Sequence, residues 1–314
     1  MEFHRLKSVV PGEIPTKSSG SSRLCMKPRT SGDISLLGGM NLSFRPLKRF
    51  GQNFLIDKNI IRKIIGAVDL SNVETVLEIG PGRGALTLEM AKKTRHLAAV
   101  EVDRGLSKVL KKQTKDLGNV DIICKDILKF NLKGYVKKNK IRSFKVVANL
   151  PYYITTPVLE FLFKHIGLLS DIFITVQKEV AERMRAHTGS PSYGSLSCFV
   201  NYYSTPKILF RIKRGSFWPA PKVESCFVHL KPIKNPKKSY HVKSESLLFK
   251  VIRSAFGQRR KQLYSSLADL IDRESFKQSA AGPFLSKRPE ELELEDFVTL
   301  SNLIHVRQSS RHGK

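Results

Sequence analysis

Short apolar runs alternate with amphipathic stretches through the middle of the chain. Residues 60–68 have the spacing of an amphipathic helix. The apolar runs predict strands over residues 75–79, 97–102, 120–124, 144–148 and 172–176. Stretches of helical periodicity separate them, over residues 85–93, 105–115 and 157–165. Because parallel strands are joined by helical crossovers, this alternation predicts an α/β fold with a doubly wound parallel sheet.

The pattern changes in the last third of the chain. Residues 207–212 and 225–230 predict two further strands. Residues 232–243 have the Pro, Asn and Lys content of a linker, and only helical patterns follow, from residue 246 to about residue 305. We therefore predict a sheet domain over residues 47–235 and a small helical domain over residues 244–308.

The first 46 residues differ from the rest in composition, because they are rich in Ser, Gly and basic residues and lack a periodic apolar pattern. This composition predicts a disordered basic extension over residues 1–46. Two alternatives stay open. The Ser and Arg content resembles that of an organellar transit peptide, although Glu2, Glu13 and Asp33 argue against one. Met40 is a second candidate for the first residue.

The charge balance points to the class of partner. The chain has 55 Lys and Arg against 27 Asp and Glu, a formal net charge of +28. This excess favours a polyanion such as nucleic acid, and no apolar run is long enough to predict a membrane span. The four cysteines lie far apart, and the eight histidines form no HxH or HxxxH cluster. We expect reduced cysteines, no metal site and a cytoplasmic location.

A glycine-rich segment follows the first strong strand and opens a helix. Residues 78–84 have the sequence Glu-Ile-Gly-Pro-Gly-Arg-Gly, and glycines let a backbone approach a ligand at a helix N-terminus. Glu101 closes the next strand, where an acid can bind ribose hydroxyls. Asp126 closes the third strand, where it can accept a hydrogen bond from an adenine amino group. The spacing is GxGxG and not the GxGxxG of dinucleotide-binding proteins.

The stretch Asn149-Leu150-Pro151-Tyr152 follows the fourth strand, at the edge where open α/β sheets bind ligands. The Asn149 side-chain oxygen and the Leu150 carbonyl, stiffened by Pro151, can accept both hydrogens of an aromatic amino group. Tyr152 can stack on the ring that carries this group, with no role for its hydroxyl. These features are typical of a pocket for a base taken out of its stack. An ordinary turn after a strand is the alternative for the stretch taken alone.

Together these features resemble the S-adenosylmethionine-dependent methyltransferase fold. With its flanking motifs the chain resembles the ribosomal RNA small-subunit adenine N6,N6-dimethyltransferase family (the KsgA group). The flanking motifs are Lys-Arg-Phe-Gly-Gln-Asn-Phe-Leu at 48–55, Gln-Lys-Glu-Val at 177–180 with Tyr-Gly-x-Leu-Ser at 193–197, Phe-x-Pro-x-Pro-Lys-Val-Glu-Ser at 217–225, and Ala-Phe-x-Gln-Arg-Arg-Lys at 255–261. The resemblance runs from about residue 48 to residue 304.

The resemblance implies a Rossmann-like methyltransferase sheet with a small C-terminal helical domain, and S-adenosylmethionine as cofactor. It implies that the methyl donor contacts Asn53, Leu55, Gly80, Gly82, Glu101, Asp126 and Asn149, and that Asn149, Leu150, Pro151 and Tyr152 form the catalytic motif. The implied reaction is dimethylation of N6 of two adjacent adenosines in the 3′-terminal hairpin of small-subunit rRNA. The implied partners are that rRNA and the immature small ribosomal subunit, with the enzyme acting as a monomer.

Two further features concern the RNA. Phe217 lies in a loop and is either an anchor of that loop or a second stacking surface for the target base, which is the interpretation we favour. Arg259, Arg260 and Lys261 follow the linker on a predicted helix and suggest a basic face for RNA phosphates. The alternative is that these three side chains turn inward and bridge the two domains.

Two other functions stay open at this point. One is a large-subunit rRNA adenine N6-methyltransferase of the macrolide-resistance type. The other is a non-catalytic RNA-binding assembly factor that retains the fold. For Gln52 and Asn53, capping of a helix that starts near Ile56 is an alternative to donor binding.

Overall fold

The computed structural model describes residues 52–70, 75–271 and 276–312, with side chains as far as residue 310. In these ranges the strands are β1 Phe54–Leu55, β2 Thr75–Ile79, β3 His96–Glu101, β4 Val120–Cys124, β5 Phe144–Asn149, β6 Leu169–Gln177, β7 Ser204–Ile212, β8 Phe217–Trp218 and β9 Ser225–Pro232. The main sheet has the strand order β4-β3-β2-β5-β6-β9-β7, and β1 pairs with β8 in a separate two-stranded sheet. Strands β2 to β6 are parallel, whereas β9 is antiparallel to β6 and to β7.

Helices connect the strands and follow the sheet. Those within the sheet region are α1 Lys58–Val68, α2 Thr87–Ala91, α3 Arg104–Gln113, α4 Leu132–Lys138, α5 Thr155–Phe163, α6 Lys178–Arg185 and α7 Ser195–Tyr203. After β9 come α8 Pro236–Ser239, α9 Glu245–Gly257, α10 Leu263–Ser266, α11 Gly282–Leu285 and α12 Leu294–His312. Short 3-10 turns lie at Ile127–Lys129, Tyr152–Ile154, Ile166–Leu168, Arg214–Ser216 and Pro289–Glu291.

Local sequence explains why these elements form where they do. All five residues of β2 are buried, as expected for a central parallel strand covered by helices on both faces. Helix α1 starts after Asp57, whose side chain accepts hydrogen bonds from the first backbone amides of the helix. Its buried residues Ile61, Ile64, Ile65 and Val68 recur at helical spacing and pack in the core beneath the sheet.

The predicted elements are confirmed with small shifts of their ends. The predicted strands at 75–79 and 120–124 match β2 and β4, and β6 extends beyond its predicted apolar run at both ends. Helix α2 is shorter than predicted, because the glycine segment continues as turns up to Leu86. The capping alternative for Gln52 and Asn53 is wrong, since Asp57 caps the helix that follows.

The C-terminal helices pack directly on the sheet region. Helix α9 contacts both α7 and α12, and residues 48–314 group into one compact unit. The division into domains over residues 47–235 and 244–308 therefore stays a prediction. The extension over residues 1–46 lies outside the described residues. In the described part of the chain, no helix is long and apolar enough to cross a membrane.

Candidate active site

A cavity of about 370 Å³ lies at the carboxyl ends of β2 to β5. It brings together every residue predicted to bind the donor or to belong to the catalytic motif: Asn53, Leu55, Gly80, Gly82, Glu101, Asp126, Asn149, Leu150, Pro151 and Tyr152. The parallel register explains this, because residues that close neighbouring strands meet at one edge. Phe217, Arg259, Arg260 and Lys261 do not line the cavity.

The glycine segment bends sharply beneath the cavity. Gly82 has a φ of 58°, in the left-handed region that favours glycine. A Cβ atom at this position would lie 3.0 Å from the Phe54 ring, so the closeness of β1 also requires a glycine here. The bend therefore brings backbone to the cavity wall where a larger residue would displace Phe54.

Glu101 holds this bend in place. Its side chain is buried, and its Oε2 accepts a hydrogen bond from the Gly82 amide at 3.0 Å. Its Oε1 accepts from the Asp103 amide at 2.9 Å. Burial raises the pKa of the Glu101 carboxyl, although the two amides favour the charged form. A carboxylate has about four acceptor sites, so room remains for a ligand hydroxyl beside the two amides.

Glu78 is a second buried acid on the cavity wall, and sequence reasoning gave it no role. It is 2 % exposed, and the Thr87 hydroxyl donates a hydrogen bond to its Oε2 at 2.7 Å. Burial, together with a smaller effect of the nearby Glu101 charge, raises the pKa of Glu78 to about 8. The sequence did contain a signal for this role, because Glu78 lies inside the apolar run of β2, where burial of an ionised side chain is unfavourable.

Asn149 is oriented by the segment around β1. Its Nδ2 donates a hydrogen bond to the Asn53 carbonyl at 3.0 Å. This contact fixes which end of the amide is the acceptor, so Oδ1 points away from Asn53. The side chain thus has the orientation needed to accept a hydrogen from a ligand amino group.

Tyr152 has a partner that the sequence pattern did not indicate. Its hydroxyl and the Ser225 hydroxyl are hydrogen-bonded at 2.7 Å, and Ser225 is fully buried at the start of β9. Burial raises the pKa of Tyr152. The hydroxyl, for which the sequence indicated no role, therefore joins the Tyr152 ring to β9.

The short strands β1 and β8 lie beside the cavity, and we call this pair of strands the roof. Phe54 pairs with Trp218, and Leu55 with Phe217. The Arg83 guanidinium lies over the Phe54 ring at 5.6 Å and over the Trp218 ring at 5.3 Å from their centroids. This arrangement ties the glycine segment to the late loop.

Phe217 itself lies in the core. Its side chain is 3 % exposed and packs in the hydrophobic cluster that contains Leu55, Ile212 and Phe227. This burial does not fit the preferred interpretation of Phe217 as a second stacking surface, because core residues cover the ring. Its position fits the alternative of a loop anchor.

Apolar and acidic side chains surround the part of the cavity near β4. Asp126 accepts a hydrogen bond from the Leu128 amide at 3.0 Å and lies near the Tyr153 hydroxyl, whose pKa is raised by burial and by the Asp126 charge. Val102, Leu128 and Tyr153 line the cavity and are 47 %, 41 % and 62 % exposed. Exposed apolar surface beside an acid is suited to a flat heteroaromatic ring with an amino group.

The basic residues after the linker lie in a turn rather than on a helix, because α9 ends at Gly257. Arg259 donates from Nη1 to the Pro191 carbonyl at 2.9 Å and pairs with Glu290 at 3.4 Å. Its side chain is 42 % exposed but joins the α6–α7 loop to the C-terminal segment, a contact of the kind that the alternative expected of all three residues. Arg260 and Lys261 are exposed.

In the described ranges, no group of three or more His, Cys, Asp and Glu side chains could hold a metal ion. Cys198 and Cys226 are buried as free thiols, and Cys124 is exposed.

Comparison with known proteins gives the family. The model of the family described as ribosomal RNA adenine dimethylase matches residues 43–305. The chain belongs to this family. It is thus a methyltransferase enzyme, and the sequence-based expectations of family, fold class and enzyme class are confirmed.

Curated relatives and solved structures agree with this assignment. Ribosomal RNA small subunit methyltransferase A of Clostridioides difficile is 41% identical over 86% of this chain and 94% of its own. The protein of the same name from Protochlamydia amoebophila is 41% identical over 86% and 95%. A dimethyladenosine transferase from Plasmodium falciparum superposes with a TM-score of 0.67 at 24% identity, covering 82% of this chain and 98% of that one. The 23S rRNA methyltransferase ErmE superposes with a TM-score of 0.60 at 21% identity over 81% and 100%, and both structures share the fold.

Proposed function

We propose that this enzyme uses S-adenosylmethionine to dimethylate N6 of two adjacent adenosines in the 3′-terminal hairpin of small-subunit rRNA, during ribosome biogenesis. The observation that carries the proposal is the Asn149–Tyr152 motif beside the cavity, with the Asn149 amide oriented by Asn53 at 3.0 Å. The curated relatives named small subunit methyltransferase A, at about 40% identity over most of the chain, support the choice of rRNA.

The cavity has the chemistry that S-adenosylmethionine requires. Glu101 is available to ribose hydroxyls, Asp126 to the adenine amino group, and Val102 and Leu128 to the faces of the adenine ring. The bend at Gly82 leaves backbone, not side chain, against the amino-acid end. When bound, this donor supplies a methyl group already activated on a sulfonium. The protein then has to bind the donor and the target base, to orient them towards each other and to exclude water.

The target nitrogen is a poor nucleophile, because its lone pair is delocalised into the adenine ring. Oδ1 of Asn149 and the carbonyl of Leu150 accept its two hydrogens, which favours a tetrahedral nitrogen with an available lone pair. Tyr152 holds the ring by stacking, which contributes roughly 1–3 kcal/mol per base. Correct positioning alone supplies ~7–11 kcal/mol of a barrier. The proton displaced by methylation is lost to solvent.

Two other functions fit the site less well. The likeness to the 23S rRNA methyltransferase ErmE, at 21% identity, is one of fold and does not favour a large-subunit substrate. A non-catalytic assembly factor has no need of an oriented Asn149 beside an intact Glu101. The immature small subunit as substrate, the monomeric state and the cytoplasmic location belong to the proposal as expectations.

The deciding experiment maps modified rRNA by mass spectrometry. Purified protein and S-adenosylmethionine are incubated with small-subunit particles that lack the modification, and separately with large-subunit rRNA. Two adjacent dimethyladenosines in the small-subunit hairpin are expected. Product in large-subunit rRNA alone would favour the macrolide-resistance activity, and binding without product would favour an assembly factor. Asn149→Ala should keep the fold, measured by thermal unfolding, and lose most methyl transfer.

A further inference from the structure

A loop over residues 213–224, the rim loop, starts and ends at the edge of the sheet that carries the catalytic motif. Ile212, the last residue of β7, pairs with Ser225 of β9. Ser225 also pairs with Gln177, which closes β6. Since β6 is parallel to β5, both ends of the rim loop lie beside Asn149 at the carboxyl edge.

The rim loop is fixed to the site at two points. At its far end, Ser225 holds the Tyr152 hydroxyl at 2.7 Å. In its middle, Phe217 and Trp218 form the roof with β1. Within the loop, Arg214 donates from Nη1 to the Lys222 carbonyl at 3.1 Å. These contacts hold the loop in one shape next to the pocket for the target base.

The rim loop and the segment that leads into it carry an excess of positive charge, and Glu224 is the one acid of the loop. Residues 183–223 contain no Asp or Glu, and their seven basic residues are Arg183, Arg185, Lys207, Arg211, Lys213, Arg214 and Lys222. Within the rim loop, Lys213, Arg214 and Lys222 are exposed. Three exposed cations against the half-buried Glu224 leave the rim loop with a net positive charge, which attracts RNA phosphates.

Val223 adds an apolar group to this rim. It is 44 % exposed, next to Lys222 and two residues before Ser225. A single exposed valine is common on protein surfaces and does not by itself indicate a binding site. Here the valine is two residues from Ser225, the partner of Tyr152, and extrusion of the target base opens a gap in the RNA stack. Apolar side chains fill such gaps in proteins that distort nucleic acids.

We propose that the rim loop holds the RNA strand that flanks the extruded adenosine. Lys213 and Lys222 bind the phosphates on this strand, and Val223 packs against the base or ribose next to the gap. This inference rests on the proposed function and names a contact surface of the same site. It separates recognition of the flanking strand from recognition of the target base by Asn149 and Tyr152.

The charge arm of the test compares two double variants that remove equal charge. Lys213→Gln with Lys222→Gln alters the rim loop. The control, Lys137→Gln with Lys138→Gln, alters two exposed lysines at the end of α4. Because α4 leads into the start of β5, these lysines lie at the opposite edge of the sheet. Binding of a synthetic RNA with the target hairpin is measured by fluorescence anisotropy over a range of salt. The rim variant should lose several-fold in affinity, and its salt slope should shrink by roughly 0.7 per lost single-strand contact.

The apolar arm compares Val223→Ser with Leu117→Ser. Leu117 is 40 % exposed in the loop between α3 and β4, at the opposite edge. Val223→Ser should raise KM for the hairpin several-fold and reduce the fluorescence of 2-aminopurine placed at the target position. Leu117→Ser should match wild type in both, and donor affinity should stay unchanged in every variant.

The outcomes separate this inference from the proposed function. Equal salt slopes in the two double variants, with equal KM in the two serine variants, would overturn it. A loss confined to ribosomal particles, with naked hairpin bound normally, would also overturn it and indicate a protein partner. If wild type bound the hairpin but modified no adenosine in it or in small-subunit particles that lack the modification, the proposed function would fail while the binding comparison still stood.

Discussion

Two carboxyl side chains lie side by side in the site and have different tasks. Glu101 is held by the amides of Gly82 and Asp103, so it can bind ligand hydroxyls while fixing the glycine segment. Glu78 accepts a hydrogen bond from the hydroxyl of Thr87 and is buried in the fold. Environments that differ in this way give neighbouring acids different protonation states.

Replacement of Glu78 by Gln should change the pH dependence of stability. The pKa of Glu78 is raised from 4.5 in a model peptide to about 8 in the fold. The folded state therefore holds the proton more tightly, and this contribution to stability is present below pH 4.5 and is lost as pH rises from there through about 8. Its scale is roughly 1.4 kcal/mol per pKa unit. By thermal unfolding, Glu78→Gln should match wild type near pH 5 and exceed its Tm near pH 9.

An exposed acid provides the control for this comparison. Glu89→Gln removes a carboxylate that pairs with Lys92 on the surface of α2. Its effect on Tm should be small and similar at both pH values, since exposed pairs contribute little. A Glu78→Gln variant whose Tm difference from wild type did not change with pH would contradict the assignment of a raised pKa.

The hydroxyl of Tyr152 should matter through Ser225. Tyr152→Ala loses the ring and should lose most methyl transfer. Tyr152→Phe keeps the ring but leaves the buried Ser225 hydroxyl without this partner, which costs roughly 1–3 kcal/mol. We therefore expect Tyr152→Phe and Ser225→Ala to reduce kcat by similar factors. The double variant should be no worse than either, as measured in a double-mutant cycle.

Additive losses in that cycle would show that each hydroxyl acts separately, and the alignment role would then be rejected. Equal loss in Tyr152→Phe and Tyr152→Ala would show that stacking of the ring contributes nothing. Donor affinity serves as the control, because neither change alters Glu101 or the glycine segment.

At the scale of elements, the roof of β1 and β8 joins three distant segments around the cavity. It pairs residues 54–55 with residues 217–218 and is bridged by Arg83 of the glycine segment. None of these strands is long enough to be stable alone. Their stability therefore depends on the packing of Phe217 below and of Arg83 on the aromatic rings beside it.

Loss of the Arg83 charge should loosen this roof. Arg83→Met keeps a long side chain but removes cation–π attraction worth ~0.5–1 kcal/mol at an exposed site. Trp218 is the single tryptophan of the chain, so its emission reports on the roof. Donor binding should shift this emission in wild type. In Arg83→Met the shift should be smaller and donor release, followed by stopped flow, several-fold faster.

A second cation–π contact of the same kind gives the matched control. Lys63 of α1 lies over the Phe210 ring at 4.3 Å, and neither residue lines the cavity. Lys63→Met should leave donor release and the emission shift unchanged. Equal release rates in Arg83→Met and wild type would show that the roof does not retain the donor.

At the scale of the whole unit, the loop between α6 and α7 is joined to the segment around residues 289–292. Tyr193 donates to the Leu292 carbonyl at 3.0 Å, and the Gly189 amide donates to the Glu290 carbonyl at 3.0 Å. Arg259 adds its contacts to Pro191 and Glu290. The C-terminal helices are thus held to the sheet region by polar contacts as well as by α9.

The three basic residues after α9 should separate into two classes. Arg259→Gln loses the contacts to Pro191 and Glu290 and should lower Tm by a few degrees with an unchanged salt slope for RNA binding. Arg260→Gln with Lys261→Gln removes two exposed charges and should weaken RNA association and flatten its salt dependence. Donor binding should be unaffected in both. If Arg259→Gln alone flattened the salt slope, its bridging role would be secondary to RNA contact.

The sequence by itself determined the order of elements and the chemistry at the ends of the strands. Central parallel strands are buried on both faces, so their apolar runs stand out against amphipathic helices. Glu101, Asp126 and Asn149 could be assigned to one site because each closes a strand of the same parallel set, and that edge is shared. Family motifs then narrowed the chemistry to adenine methylation.

Only the tertiary structure decided which distant side chains meet. Tyr152 and Ser225 are 73 positions apart, and Arg259 and Pro191 are 68 apart. The sequence left Phe217 as either a loop anchor or a stacking surface, and only the packing around β1 and β8 showed that its ring is buried. Periodicity records how each residue is placed on its own helix or strand. It does not record which residue of another element closes the hydrogen bond, because that depends on how the elements pack.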